Sequence, residues 1–190
     1  MTAALSSIAG PPVRMRIEAA FYYFVAMIAR PHQPRWPLTG EQRKHAARVG
    51  RERMDLNDSH GLDPVEWPAL RRQMRLLLRK RARERGRYTD GDLIRRAHAE
   101  GLPELDPHSP DMASMLGQIN ILEMERGLPM LTAIVVHKHG PSVPGVGYWN
   151  LAEMMGIDVG TTEESVEAFW VSELQECYRV WPHKDIHSEL

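Results

Sequence analysis

Apolar residues recur along this chain mostly at helical spacing. Trp67, Leu70, Met74, Leu77 and Leu78 fall three or four apart and define one face of a helix over about 64–86. Asp63 is suited to cap that helix, Pro64 to open it, Glu66 to lie three residues past the cap, and Gly86 to stop it. A second stripe, Met112, Met115, Leu116, Ile119 and Leu122, predicts a helix over about 110–126, with Ser109 as its cap and Gly127 and Pro129 beyond its end. Val166, Phe169, Trp170, Leu174, Cys177 and Trp181 predict a last helix over about 162–181, opened by Thr161 and Glu164 as a capping box.

Shorter elements fill the gaps. Thr89 caps a helix over 90–100 that buries Leu93, Ile94 and Ala97 and closes at Gly101-Leu102-Pro103. Residues 40–54 read as a basic helix weakened by Gly50. Asn150 and Glu153 read as a cap pair for a short helix, NLAEMM, stopped by Gly156. Near the start, Ala19 to Ala29 is an apolar core helix of about 15–30, ended by Pro31, Pro34 and Pro37. Trp36, in that proline stretch, is expected to dock on the body. One run breaks the helical pattern. MLTAIVVH, 130–137, is short, β-branched and apolar, as a buried strand is.

The expected fold is therefore mainly α with a small β element (α+β). It contains a winged-helix-like helix-helix-helix-strand unit at about 64–148. Residues 1–40 are expected to form an N-terminal arm and apolar helix packed on the body, and 41–190 a single mostly helical domain. A chain of 190 residues can bury such a core without staples. Cys177 is the lone cysteine, which excludes an intrachain disulfide and a cysteine-rich metal site and fits a reduced, cytoplasmic setting. The apolar stretch at 19–29 is too short for a membrane span, which needs roughly 20 residues. The first thirteen residues carry no charged side chain, unlike a signal peptide with its basic start. No membrane association is expected.

Charge changes the picture more than composition does. Residues 1–97 hold 20 Lys+Arg against 10 Asp+Glu, a net of +10, and residues 98–190 hold 4 against 15, a net of −11. Such a split suits either a polyanion-facing half or two halves that attract each other. The cations crowd one helix and its surroundings: Arg71, Arg72, Arg75, Arg79, Lys80, Arg81, Arg83, Arg85 and Arg87, followed by Arg95 and Arg96. Guanidinium forks fit phosphates, so these eleven are the candidate nucleic-acid contacts, directed at the backbone of DNA or RNA. The competing reading of such a run is a solvated helix face.

The stretch GRYTDGDLIRRAHAEG (86–101), within the order helix, helix, helix, strand and Gly-rich loop, resembles the helix entry of winged-helix modules, including the C-terminal domain of DNA alkyltransferase-like proteins. The likeness spans about fifty residues. Two departures matter. The link between the second and third helices is long for a helix-turn-helix, and the would-be recognition helix carries Asp111, Glu123 and Glu125 against Arg126. The alkyltransferase Pro-Cys-His-Arg nucleophile motif is absent, so no catalytic residue carries over.

A second candidate site follows the strand. His137, Lys138 and His139 leave its end, and Tyr148 and Trp149 close a Gly/Pro turn. Two imidazoles and an ammonium are the groups that metal-independent RNA cleavage needs. The simpler reading is a structural turn with surface histidines. The nine histidines show no ligand spacing, so no metal is expected, and no phosphate-loop, dinucleotide or nucleophile-elbow motif is present, so no cofactor is expected. The eleven methionines and apolar helices suit the core, or a homodimer or other protein partner. The leading expectation is a small nucleic-acid-binding module. The alternatives are an interaction or assembly component with complementary basic and acidic halves, and a metal-independent nuclease.

Overall fold

The computed structural model describes residues 36–58, 66–103, 105–107, 109–137 and 142–181. The expected N-terminal helix of about 15–30, the Asp63-Pro64 opening, Lys138 and His139 lie outside them. The described residues are mainly helical: α1 (Gly40–Arg53), α2 (Glu66–Arg83), α3 (Asp90–Ala99), α4 (Pro110–Met124), α5 (Val146–Met154) and α6 (Glu163–Val180). Two short strands, β1 (Tyr88–Thr89) and β2 (Val135–Val136), pair in parallel, Tyr88 opposite Val135 and Thr89 opposite Val136. No described helix is long and apolar enough to cross a membrane.

The helix ends follow local chemistry. Thr39 and Gln42 form a reciprocal capping box on α1. Thr89 and Ser109 cap α3 and α4 as expected, each accepting from the backbone N–H three residues on. Helices α3, α4 and α5 end with Gly101, Gly127 and Gly156 at positive φ. In each, the glycine N–H and the N–H after it donate back to carbonyls of the last turn. Helix α2 ends the same way, with Gly86 N–H on the Arg81 carbonyl and Arg85 N–H on that of Ala82. The left-handed position is there taken by Arg85, φ 52°.

Helix α4 is the hub. It is buried on nearly every side, Met112, Met115, Ile119, Ile121 and Met124 being at most 1% exposed. Helices α1, α2 and α5 pack on it. The methionine stripe is thus core. Trp36 docks as expected, its ring 4.7 Å from that of Phe169 on α6.

Three local expectations are corrected. The strand over 130–137 is a 3-10 turn, Leu131–Ile134, followed by only two strand residues. The reason is that buried side chains, rather than a ladder, satisfy this segment's peptide groups. Met130 N–H donates to Glu173 Oε2 at 2.7 Å, Thr132 N–H to Asn120 Oδ1 at 3.0 Å, and Trp170 Nε1–H donates to the Ala133 carbonyl at 2.9 Å. Second, α5 begins at Val146 rather than Asn150, with Gly145 at its cap, so Tyr148 and Trp149 belong to a helix rather than to a turn. Third, Thr162 with Ser165 caps α6, in place of Thr161 with Glu164.

Gly50, a weak helix former, has a packing role in α1. A Cβ there would stand 2.8 Å from Met155 Cγ and 3.2 Å from Ile121, so the glycine lets α1 approach α4 and the end of α5. Two stability outcomes follow, both read as shifts in a urea midpoint. Gly50→Ala, which favours an isolated helix, should destabilise the protein by about 1–2 kcal/mol through overpacking. Arg85→Gly should stabilise it by up to about 1 kcal/mol by relieving the left-handed conformation.

Candidate nucleic-acid interface and the neighbouring cleft

Their contacts divide the candidate cations into two sets. Arg71, Arg75 and Arg79 lie four apart on α2 and reach to side chains of α4. Arg71 Nη1 donates to Gln118 Oε1 at 2.6 Å and to the Leu56 carbonyl at 2.7 Å. Arg75 and Arg79 each present Nε and Nη2 to the two oxygens of Glu123, at 2.6–2.9 Å. Glu123 is fully buried, while the two arginine side chains are 19% and 20% exposed. Arg79 also lies over the Trp181 ring, 5.5 Å from its centre. These three arginines hold two helices together.

The outward set is different. Arg72, Lys80, Arg83 and Arg85 are exposed and make no ion pair among the described residues. Leu76 lies among them on the same side, 51% exposed. The remaining candidates are exposed or half-buried but engaged. Arg81 donates to Glu84 and to the Arg87 carbonyl, Arg87 to the Ser142 carbonyl, and Arg95 and Arg96 pair with Asp92 and Glu100.

The opposed charges of the two halves meet inside the chain. Besides the pairs on Glu123, Arg51 binds Glu125, and Arg43 binds the buried Glu173 at 2.5 Å. The two buried glutamates are poised differently. Burial would push Glu123 up, but the hydrogen bonds and charges of Arg75 and Arg79 outweigh it and hold the carboxyl below its ordinary value. For Glu173 burial wins over Arg43 and the Met130 N–H, and the carboxyl is raised. Burial also pushes the Cys177 thiol well above its usual value, which leaves it unreactive.

The second site lies where the parallel ladder ends. Its register makes Asp90 and His137 the next opposed residues, and Asp90 Oδ2 stands 4.0 Å from His137 Nδ1. Both line a cavity between β2, α4 and the start of α5. His137 is thus placed beside a carboxylate that sequence reasoning did not single out, because only the strand register brings them together. Glu123 was visible in the sequence as a charge within the apolar run ILEME, and its partners as the four-residue spacing of Arg71, Arg75 and Arg79. Among the described residues no group of three or more His, Cys, Asp or Glu side chains is arranged to hold a metal ion. No protein-family model matches the chain, and comparison with curated proteins and with solved structures finds no match.

Replacing Glu123 by Gln should destabilise the protein by roughly 3 kcal/mol at neutral pH, because two part-buried guanidinium groups lose their counter-charge. A depressed carboxyl contributes stability that is present above the ordinary value of 4.5 and lost as pH falls through the folded value. The gap between wild type and Glu123→Gln should therefore narrow on acidification. A raised carboxyl has the opposite sign, its contribution being present at low pH and lost as pH rises. The gap for Glu173→Gln should widen on acidification. Urea titrations at neutral pH and well below 4.5 measure both.

Proposed function

We propose that the chain is a small cytoplasmic nucleic-acid-binding module that meets the phosphate backbone along the outward stripe of α2. The observation that carries this reading is the sorting of cations on one helix. Arginines turned inward are matched by Gln118 and Glu123, whereas Arg72, Lys80, Arg83 and Arg85 are exposed without an ion pair among the described residues. Unmatched cations in a row repel one another, and a row of phosphates relieves that repulsion while releasing counterions. Arg87, Arg95 and Arg96 flank the row. The order α2, α3, α4, β2 supports a winged-helix-like unit as part of the same reading. The contacting face would be the outside of α2, since α4 is buried nearly all round.

The test is a titration of fluorescent duplex DNA and single-stranded RNA at low and moderate salt. Affinity should fall steeply with salt, and the variant carrying Arg72→Ser, Lys80→Ser, Arg83→Ser and Arg85→Ser should bind weakly. Its log–log salt slope should be shallower by roughly 3–4, at about 0.9 for each duplex phosphate left without its cation. No binding at low salt overturns the proposal. A salt-dependent oligomer on a sizing column would then favour the assembly reading. The Asp90–His137 pair favours a further outcome, metal-independent cleavage, which would appear as shortening of the RNA and vanish in His137→Ala.

A further inference from the structure

Arg72, Leu76, Lys80 and Arg83 fall within about 80° of one another around α2 and span about 16 Å along its axis. Arg85 continues the row past the helix end. All five are exposed, and the four cations make no ion pair among the described residues. Leu76, the one apolar member, carries no ring. The aromatic side chains beside the row are otherwise engaged. Tyr88 lies under the Arg81 guanidinium, 5.2 Å from its ring centre, and buried Trp181 lies under that of Arg79. Tyr178 is half-buried and donates its hydroxyl to the Gly86 carbonyl at 3.4 Å. Every aromatic ring of the described residues is buried or half-buried.

Given the nucleic-acid reading of α2, on which this rests, we propose that the row takes the phosphates of a double helix in preference to those of a single strand. Single strands are held by two features together, cations along the backbone and aromatic faces on which bases stack. The row supplies only the first. A stacked base is worth from about fivefold to more than a hundredfold in affinity, so one open ring beside the row would suffice to favour the strand. Without such a ring, counterion release decides. Each cation set on a phosphate contributes about 0.9 to the salt exponent on a duplex and about 0.7 on a single strand. For four cations at about 0.1 M salt, that difference favours the duplex roughly sixfold. Rigidity acts in the same direction. A row fixed on a helix meets a stiff duplex as it stands, whereas a flexible strand must first be ordered to follow it.

The full-length protein would be titrated with fluorescent probes of equal length over a series of salt concentrations. The probes are a DNA duplex, an RNA duplex and an unpaired deoxythymidine strand. The expected result is a duplex bound roughly sixfold tighter than the strand at about 0.1 M salt, with log–log slopes of about −3.6 and about −2.8. The preference should therefore shrink as salt rises. The tighter of the two duplexes identifies DNA or RNA as the source, and either supports the proposal. Combining Arg72→Ser, Lys80→Ser, Arg83→Ser and Arg85→Ser should remove the preference. A strand bound at least as tightly as both duplexes, and lost in the four-site variant, overturns the proposal and keeps the nucleic-acid reading. A duplex preference that persists in that variant places it elsewhere on the protein and also overturns the proposal. No binding of any probe at low salt overturns both. Should the variant fail to fold, the comparison of probes on the wild-type chain still decides the preference.

Discussion

The junction between α2 and α4 rests on one carboxylate. Glu123 sits in the most buried helix among the described residues and receives four N–H donors from Arg75 and Arg79. A buried charge is tolerable only when it is both paired and fully hydrogen-bonded, and two guanidinium forks meet both conditions. The requirement works in reverse as well. Arg75 and Arg79 can lie against the core side of α2 only because a carboxylate awaits them there. Helix α2 is thereby fixed in rotation as well as in position, and that rotation decides which of its cations face outward.

Segment 130–133 shows the same logic with neutral groups. It runs through the interior as a turn, where unpaired peptide groups would each cost about 1–3 kcal/mol. Asn120 from α4 and Glu173 and Trp170 from α6 reach in to bond them. Glu173 also holds Arg43 from α1, so one buried side chain joins three parts of the chain far apart in sequence. The polar residues of the core are thus the means by which irregular backbone is buried at all.

The same two interactions separate what is legible in the sequence from what is not. Caps at Thr89 and Ser109 and stops at Gly101, Gly127 and Gly156 are legible because they depend on a few adjacent residues. The run MLTAIVVH reads as a longer strand because apolar, β-branched residues suit any buried extended segment. Its real hydrogen-bond partners lie 12 to 43 residues away. The eleven candidate cations are visible as a group. Their division is not implicit in helical phase, since Arg79 falls close to Arg72 around the helix and is drawn inward by Glu123 and Trp181. Periodicity alone leaves unsaid that Glu123 is their partner. The meeting of Asp90 with His137 is not legible, for it follows from strand register.

The order in which the two halves are made gives the internal charge pairing a temporal side. A ribosome releases the arginine-rich stretch first, and Glu123, Glu125 and Glu173 emerge later. Until they do, Arg43, Arg51, Arg75 and Arg79 belong to an incomplete polycation without its built-in counterions. Helix α2 has an apolar stripe but no α4 to cover it, and the turn at 130–133 lacks the donors and acceptors that only α6 supplies. The described part of the amino-terminal half thus gains its polar core partners only once α4 and α6 have been made. A truncation just before α6 would remove far more than one helix from the native state.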